Sequence, residues 1–404
     1  EIYQCDWSSD VCSSDLTRQE LDGLMAKLVA AHPKVSDVII TSGRAVQAEV
    51  DGALTDVDLG PDFARLTPAQ TKLMAAALMD NSPRLIKTLA AKGSCDLSYA
   101  LPGKARFRVN IFSQRGTLAA ILRRLPTGIP TMEELNLPAC FTELAKEKYG
   151  LIPVTGGTGT GKSNSLAALV DAINEHLAVH IITLEDPVEF THRHKKGTVN
   201  QRELGVDFDT FASGLRAAFR QAPKVILVGE IRDRETMEIA LQAAATGHLV
   251  LSTIHTTDCG QTVNRIIGLF DTSEERLIRM RLAESLKWVV SQRLLPKTDG
   301  HGRVAAFEVM RNTLRIKELI LGGETVDKTF YGVLEEGAPH GMNTFDQDFF
   351  QLFQKGLISE ETATLSASDR SRLVQMIDRL KTDRGEAADE LVLEGLEDEE
   401  LKKG

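Results

Sequence analysis

The run Gly156-Gly157-Thr158-Gly159-Thr160-Gly161-Lys162-Ser163 constrains this chain more than any other stretch. It follows an apolar segment, Leu151–Thr155, and opens a helix-patterned one, Ser163–Leu177. Strand, glycine-rich turn and helix in that order make a phosphate-binding loop. The glycines let backbone N–H groups converge on phosphate oxygens at a helix N-terminus, whose partial positive charge favours anions. The residues from Gly156 to Ser163, with Asn164 next in line, are the expected nucleotide-binding set. Lys162 is expected to reach the β- and γ-phosphates, and Ser163 to offer its hydroxyl to Mg²⁺. The expected cofactors are ATP and Mg²⁺. Pro153 is an anomaly, because it removes an N–H from inside the expected central strand.

Short apolar strands recur between helical stretches: Leu151–Thr155, His180–Leu184, Val225–Val228 and Leu249–Thr253. That alternation implies a parallel sheet covered by helices. In such sheets ligands lie at the C-terminal strand ends. Glu230 follows Val225–Val228 and is placed to orient an attacking water. Glu185-Asp186-Pro187-Val188-Glu189 follows His180–Leu184 in the same way. His248 and His255 flank Leu249–Thr253 and are candidate site residues as a pair.

Upstream, Leu21, Leu24, Met25, Leu28 and Val29 sit at helical spacing, and Thr67-Pro68 can cap and open a second helix. Val38-Ile39-Ile40, Ala48-Glu49-Val50 and Arg106–Phe112 read as strands. These elements predict a small α+β domain over 17–125. Pro126, Gly128, Pro130 and Pro138 stiffen a linker over 126–138. The ATPase core is expected over 139–271. From 272 to 382 the chain is expected to be helical, with Ile278, Leu282, Leu286 and Val289 on one packed face. Residues 383–404 carry nine acids and three bases and predict a solvated, disordered tail. The first sixteen residues, EIYQCDWSSDVCSSDL, read like a translated sequencing adaptor and are set aside from fold reasoning.

The net charge of −10 resides in these two ends, which leaves a neutral body. No basic domain emerges, so a nucleic-acid partner is not expected. The longest clean apolar run, Leu73–Met79, is far short of the roughly 20 residues a spanning helix needs. The five cysteines are scattered without C-x-x-C spacing and predict reduced thiols in a cytosolic protein.

Five blocks in order (RFRVN, VTGGTGTGKS, ITLEDPVEF, APKVILVGEIRDRETM and TGHLVLSTIHT) resemble the hexameric ATPases of type II secretion and type IV pili. The resemblance runs from about Thr17 to Arg372. It is strongest to retraction motors of the PilT/PilU type. ILRRLPTGIPTMEELNLP, GTGTGKSNSLAA and RQAPKVIL look most like the PilU branch, and LVLSTIHTTD more like PilT. The resemblance implies an α/β protein, with a small PAS-like α+β domain and a RecA-like P-loop core that has a helical C-terminal region. It makes Glu230 the catalytic carboxylate and puts the family's Asp box on Glu185–Glu189, with Glu189 its functional acid. Its His box falls on His248 and His255, and its two nucleotide-sensing arginines on Arg108 and Arg123. It implies ATP bound between the two domains and a homohexamer that withdraws pilin subunits at an inner-membrane platform protein. The location it implies is cytoplasmic, peripheral at the inner membrane, with a second retraction ATPase as a further partner.

Two rivals are an accessory or scaffold subunit assisting another motor, and a pilus-extension or type II secretion ATPase. The latter usually carries a tetracysteine zinc module, which this sequence does not contain. The chain departs from the family's pattern at Asn164, at Lys224 and at Arg315-Ile316-Lys317-Glu318-Leu319-Ile320, where the retraction-linked motif AIRNLI is expected.

Overall fold

The computed structural model describes residues 16–384. Except for Leu16, the adaptor-like segment lies outside them, as does the acidic tail beyond Arg384. Leu16 is partly buried against the N-terminal core. The chain divides into two compact units, one of residues 1–130 with 174–221 and the other of 131–173 with 222–404.

The first unit opens on α1 (Arg18–Ala31), capped by Thr17 in a reciprocal box with Glu20. Strands β1 (Val35–Ile40), β2 (Gln47–Val50) and β3 (Ala53–Asp56) follow, then helices α2 (Pro68–Leu78) and α3 (Pro83–Lys92). Thr67 caps α2 and Pro68 fills its first turn, where no N–H is needed. Strands β4 (Ser94–Leu101), β5 (Ala105–Gln114) and β6 (Thr117–Leu125) complete an antiparallel sheet of order β3-β2-β1-β6-β5-β4. Alternating side chains of β4 and β5, including Tyr99, Phe107 and Val109, enter one core with Leu21, Met25 and Met74. The strands expected at 38–40, 48–50 and 106–112 form within β1, β2 and β5.

Residues 174–221 group with this first unit. They carry the parallel pair β8 (His180–Glu185) and β9 (Thr198–Glu203) and the helix α6 (Phe211–Ala218). Polar bonds explain the grouping: Ser98 Oγ donates to Glu203 at 2.8 Å, and Arg106 donates to the carbonyl of Val188 at 2.7 Å.

The second unit holds α4 (Cys140–Leu144), β7 (Gly150–Thr155), most of α5 (Lys162–His176), β10 (Val225–Val228), α7 (Arg234–Ala245), β11 (Leu249–Ile254), α8 (Cys259–Ile267) and α9 (Glu275–Ser285). Every residue of β7, β10 and β11 is buried, as expected of parallel strands covered on both faces. The stretch expected to be helical after residue 272 contains two long strands, β12 (Trp288–Pro296) and β13 (Arg303–Arg311). Leu286 and Val289 accordingly leave the helical face that begins with Ile278 and Leu282. Most of β12 and β13 is buried, and neither shows the alternation that marks a strand in sequence. Helices α10 (Leu314–Gly322), α11 (Phe330–Glu335), α12 (Phe345–Gln354), α13 (Glu360–Ser366) and α14 (Arg370–Asp383) follow within the described residues. The last three close a separate apolar cluster against Leu295, Val304 and Ala306.

The strands of this unit run β13-β12-β7-β11-β10. Pro153 now has an explanation. The Gly150 N–H points to β11, where it meets the His248 carbonyl, so by alternation the 153 position points toward β12. There β7 pairs at Leu151↔Leu286 and again at Val290↔Val154 and Ser291↔Thr155, and Pro153 falls in the interval.

Candidate functional site

The phosphate loop leaves the C-terminal end of β7. Gly156, Gly159 and Gly161 have φ of 144°, 77° and 89°. Such values are open to glycine and strained for other residues. Gly156 is constrained further, because a Cβ there would lie 2.4 Å from the backbone oxygen of Gln292. Lys162 is buried and folds over the loop, donating to the carbonyls of Gly156 at 3.0 Å and Gly157 at 2.6 Å. Thr160 Oγ1 donates to the Gly157 carbonyl at 3.0 Å. Ser163 and Asn164 are exposed on the first turn of α5.

Gln292 of β12 forms the floor of this loop. Its side chain is buried, accepts from Ser165 Oγ at 2.8 Å and would meet a Cβ on Gly161 at 3.0 Å. Sequence reasoning missed Gln292, since it lies far downstream in a stretch read as helical.

Glu230 follows β10, as expected, and two bonds join the strand ends around it. Ile231 N donates to the Thr253 carbonyl at 3.1 Å, and Thr253 Oγ1 to the Gly229 carbonyl at 2.6 Å. This stitching brings His255 Nε2 to 3.7 Å from Glu230 Oε2. Arg232 Nε, which the motif reading passed over, donates to the same oxygen at 2.6 Å. Burial first, and then the Lys162 charge, hold the His255 imidazole below its usual pKa, against the pull of Glu230. It is therefore neutral near pH 7 and can accept or donate a proton. A cavity of about 420 Å³ opens here, lined by Gly157, Thr158, Arg232, His255, Thr256 and Thr257.

His248 does not join this group. It precedes β11, level with the start of β7, and the phosphate loop leaves the other end of β7. A strand of six residues spans roughly 20 Å. The His248 ring instead contacts the Ala243 carbonyl and Thr246 Oγ1 at 3.1 and 3.3 Å. Equal strand-flanking positions in the sequence hid opposite ends in space.

The remaining candidates belong to the first unit. Arg108 and Arg123 are register partners across β5 and β6, both exposed. Arg123 also donates to Asp37 at 2.9 Å. Glu189 is half-buried in the loop after β8. That loop contains a cis Asp186–Pro187 peptide and is clamped by Arg106. The Arg106 guanidinium donates to the carbonyls of Val188 and Glu189 at 2.7 and 3.4 Å and to Thr191 Oγ1 at 3.0 Å. Arg106 sits two residues from Arg108 on the same face of β5, so only position along the strand distinguishes the two arginines. The Glu185 carboxyl is pushed up by burial and accepts from Thr183 and Gln201.

A cradle of backbone amides, a lysine, a carboxylate and a neutral imidazole suit hydrolysis of a phosphoanhydride. Comparison with known proteins points the same way. A family model described as "Type II/IV secretion system protein" matches residues 119–340. The chain is 40% identical over 342 residues to the type IV pilus ATPase PilU of Pseudomonas aeruginosa, covering 85% of this chain and 87% of that one. It is also 40% identical over 334 residues to the PilT retraction ATPase of the same organism, covering 83% and 94%. A crystal structure of the pilus retraction motor PilT with bound ADP superposes with a TM-score of 0.78 at 40% identity, covering 87% of this chain and 98% of the other.

Proposed function

On the premise that this chain belongs to the type II/IV secretion system protein family, and within it to the PilT/PilU-type pilus ATPases, we propose that it is a motor that hydrolyses ATP to drive type IV pilus retraction. The observation that carries the reading is the convergence of Lys162, Glu230 and His255 on one phosphate loop. The glycine cradle, in which a Cβ at Gly156 has no room, fits a triphosphate. Lys162 would leave its loop carbonyls for the β- and γ-phosphates. Ser163, exposed on the first turn of α5, would hold Mg²⁺, which when bound neutralises phosphate charge. Glu230 positions the attacking water and takes up its proton, and the neutral His255 beside it orients the carboxylate. Arg108 and Arg123 act as nucleotide-sensing cations, and Glu189 as the second acid of the site. His248 lies outside this chemistry.

The working form is a homohexamer, with an inner-membrane platform protein as the mechanical partner. Among the described residues no helix is long and apolar enough to cross a membrane. Membrane association in this reading runs through that partner, at the cytoplasmic side. One observation favours a second reading, that of an accessory subunit beside another retraction motor. The stretch Arg315–Ile320, on α10, departs from the family's retraction-linked motif.

Phosphate release by the purified protein tests the first reading. Glu230→Gln should keep nucleotide binding and lose turnover at least about a hundredfold, whereas Lys162→Ala should lose binding itself. Full turnover in Glu230→Gln would overturn the site. Pilus retraction in cells carrying only this motor separates the motor from the accessory reading.

A further inference from the structure

Beneath the phosphate loop lies a chain of buried hydroxyls that the mechanism above does not use. Thr155, the last residue of β7, is fully buried and shares a 2.7 Å hydrogen bond with Ser291 of β12. Thr262 of α8 is also fully buried and approaches Thr155 Oγ1 at 3.4 Å. The Thr262 hydroxyl has one proton, and its donation to the Asp258 carbonyl at 2.7 Å uses it. At its 2.7 Å contact with Thr256, Thr262 must then accept and Thr256 must donate. Thr256 is the residue after His255. Thr155 is the residue before Gly156. One buried oxygen therefore touches both the root of the phosphate loop and the loop that carries the imidazole.

The helix that carries Thr262 is itself fixed at its start. Asp258 caps it, and the Cys259 N–H donates to Glu308 Oε1 at 2.8 Å in a buried contact. Cys259 Sγ lies 3.4 Å from Ser291 Oγ, which closes the network back onto β12. A hydroxyl held this firmly is a fixed point rather than a passive filler.

We infer that Thr262 is a positioning residue for ATP hydrolysis, whose hydroxyl oxygen holds the His255–Thr257 loop in register with the phosphate loop. Fully buried, it acts through Thr256 on His255. The inference rests on the ATPase reading of the site and adds to it a residue that neither the motif nor the strand ends reveal.

Thr262→Val keeps the shape and removes the acceptor. Steady-state ATPase kinetics should show kcat reduced about tenfold with KM for ATP within about twofold, since misplacement of a catalytic group acts on the chemical step. Thr262→Ser keeps the oxygen and should restore kcat. Unchanged kcat in Thr262→Val, or a failure of Thr262→Ser to restore it, would overturn the inference. If Thr262→Val does not fold, Thr256→Val removes the donor from the partly exposed side and must reproduce the same split between kcat and KM. Glu230→Gln measured in parallel separates the two levels. Turnover persisting there overturns the underlying reading. Turnover lost there but normal in Thr262→Val overturns only this inference.

Discussion

Arg108 and Arg123 stand directly opposite each other across the β5–β6 ladder, two cations at one register position. Like charges in that relation disfavour the fold. The buried Asp37 carboxylate offsets this through Arg123, which donates to it at 2.9 Å. The proposed nucleotide-sensing role would give both cations an anion to meet. Arg108→Gln is therefore expected to leave the melting temperature unchanged or slightly higher while lowering ATP turnover at least about tenfold. A lower melting temperature with normal turnover would make Arg108 a structural residue.

Arg106 holds the loop after β8 by three donations, two of them to backbone carbonyls. Lysine cannot supply that planar fork. Arg106→Lys should loosen the segment from Val188 to Thr191 and lower turnover several-fold. Faster amide hydrogen exchange over those residues would accompany the loss, and unchanged exchange would refute the clamp.

Gly156 should accept no substitution. Its φ of 144° is strained for any side chain, and the contact with the Gln292 oxygen adds a clash. Gly156→Ala is expected to cost about 3 kcal/mol or more and to abolish nucleotide binding. Denaturant unfolding and nucleotide titration would measure the two effects.

Asp348 predicts a pH dependence. Burial pushes its carboxyl up to about 6, although the Phe307 N–H donates to it at 2.8 Å. An acid whose pKa is raised by folding keeps its proton longer in the folded state. That advantage is complete below the unfolded pKa, near 4, and is lost as pH rises through about 6. Asp348→Asn should flatten stability between pH 4 and 6 and stabilise the protein at pH 7 by on the order of 1–2 kcal/mol. An unchanged pH profile would show that Asp348 ionises freely.

The described cysteines Cys95, Cys140 and Cys259 are all buried and free. Burial pushes the first two thiols up to about 11 and about 12 and raises the third. At pH 8 only about one Cys95 side chain in a thousand is thiolate. With Cys5 and Cys12 replaced by serine, the native protein should react with a thiol reagent only as fast as it unfolds. A fast stoichiometric reaction would reveal an open thiol.

Local patterns carried most of the site. The phosphate loop, Lys162 and Glu230 were legible because each depends on neighbours within a few residues: a strand before, a helix after, glycines at fixed spacing. Gln292 and Ser291 were not, because they pair with residues more than a hundred positions away. The strands β12 and β13 were read as helix for a related reason. Burial on both faces removes the alternation that would mark them. His248 shows the converse error, in which a symmetrical place in the sequence suggested a shared place in space.

The floor under the phosphate loop has a consequence for how the chain is made. Thr155 finds its hydroxyl partner 136 residues later, in Ser291. At ordinary rates of synthesis, the ribosome needs roughly 10–30 s to cover that distance. Until β12 emerges, the nascent chain carries the whole phosphate-binding motif with nothing beneath Gly156 to hold its shape. A chain that terminates before Trp288 would therefore carry the motif without the Ser291 and Gln292 contacts beneath it.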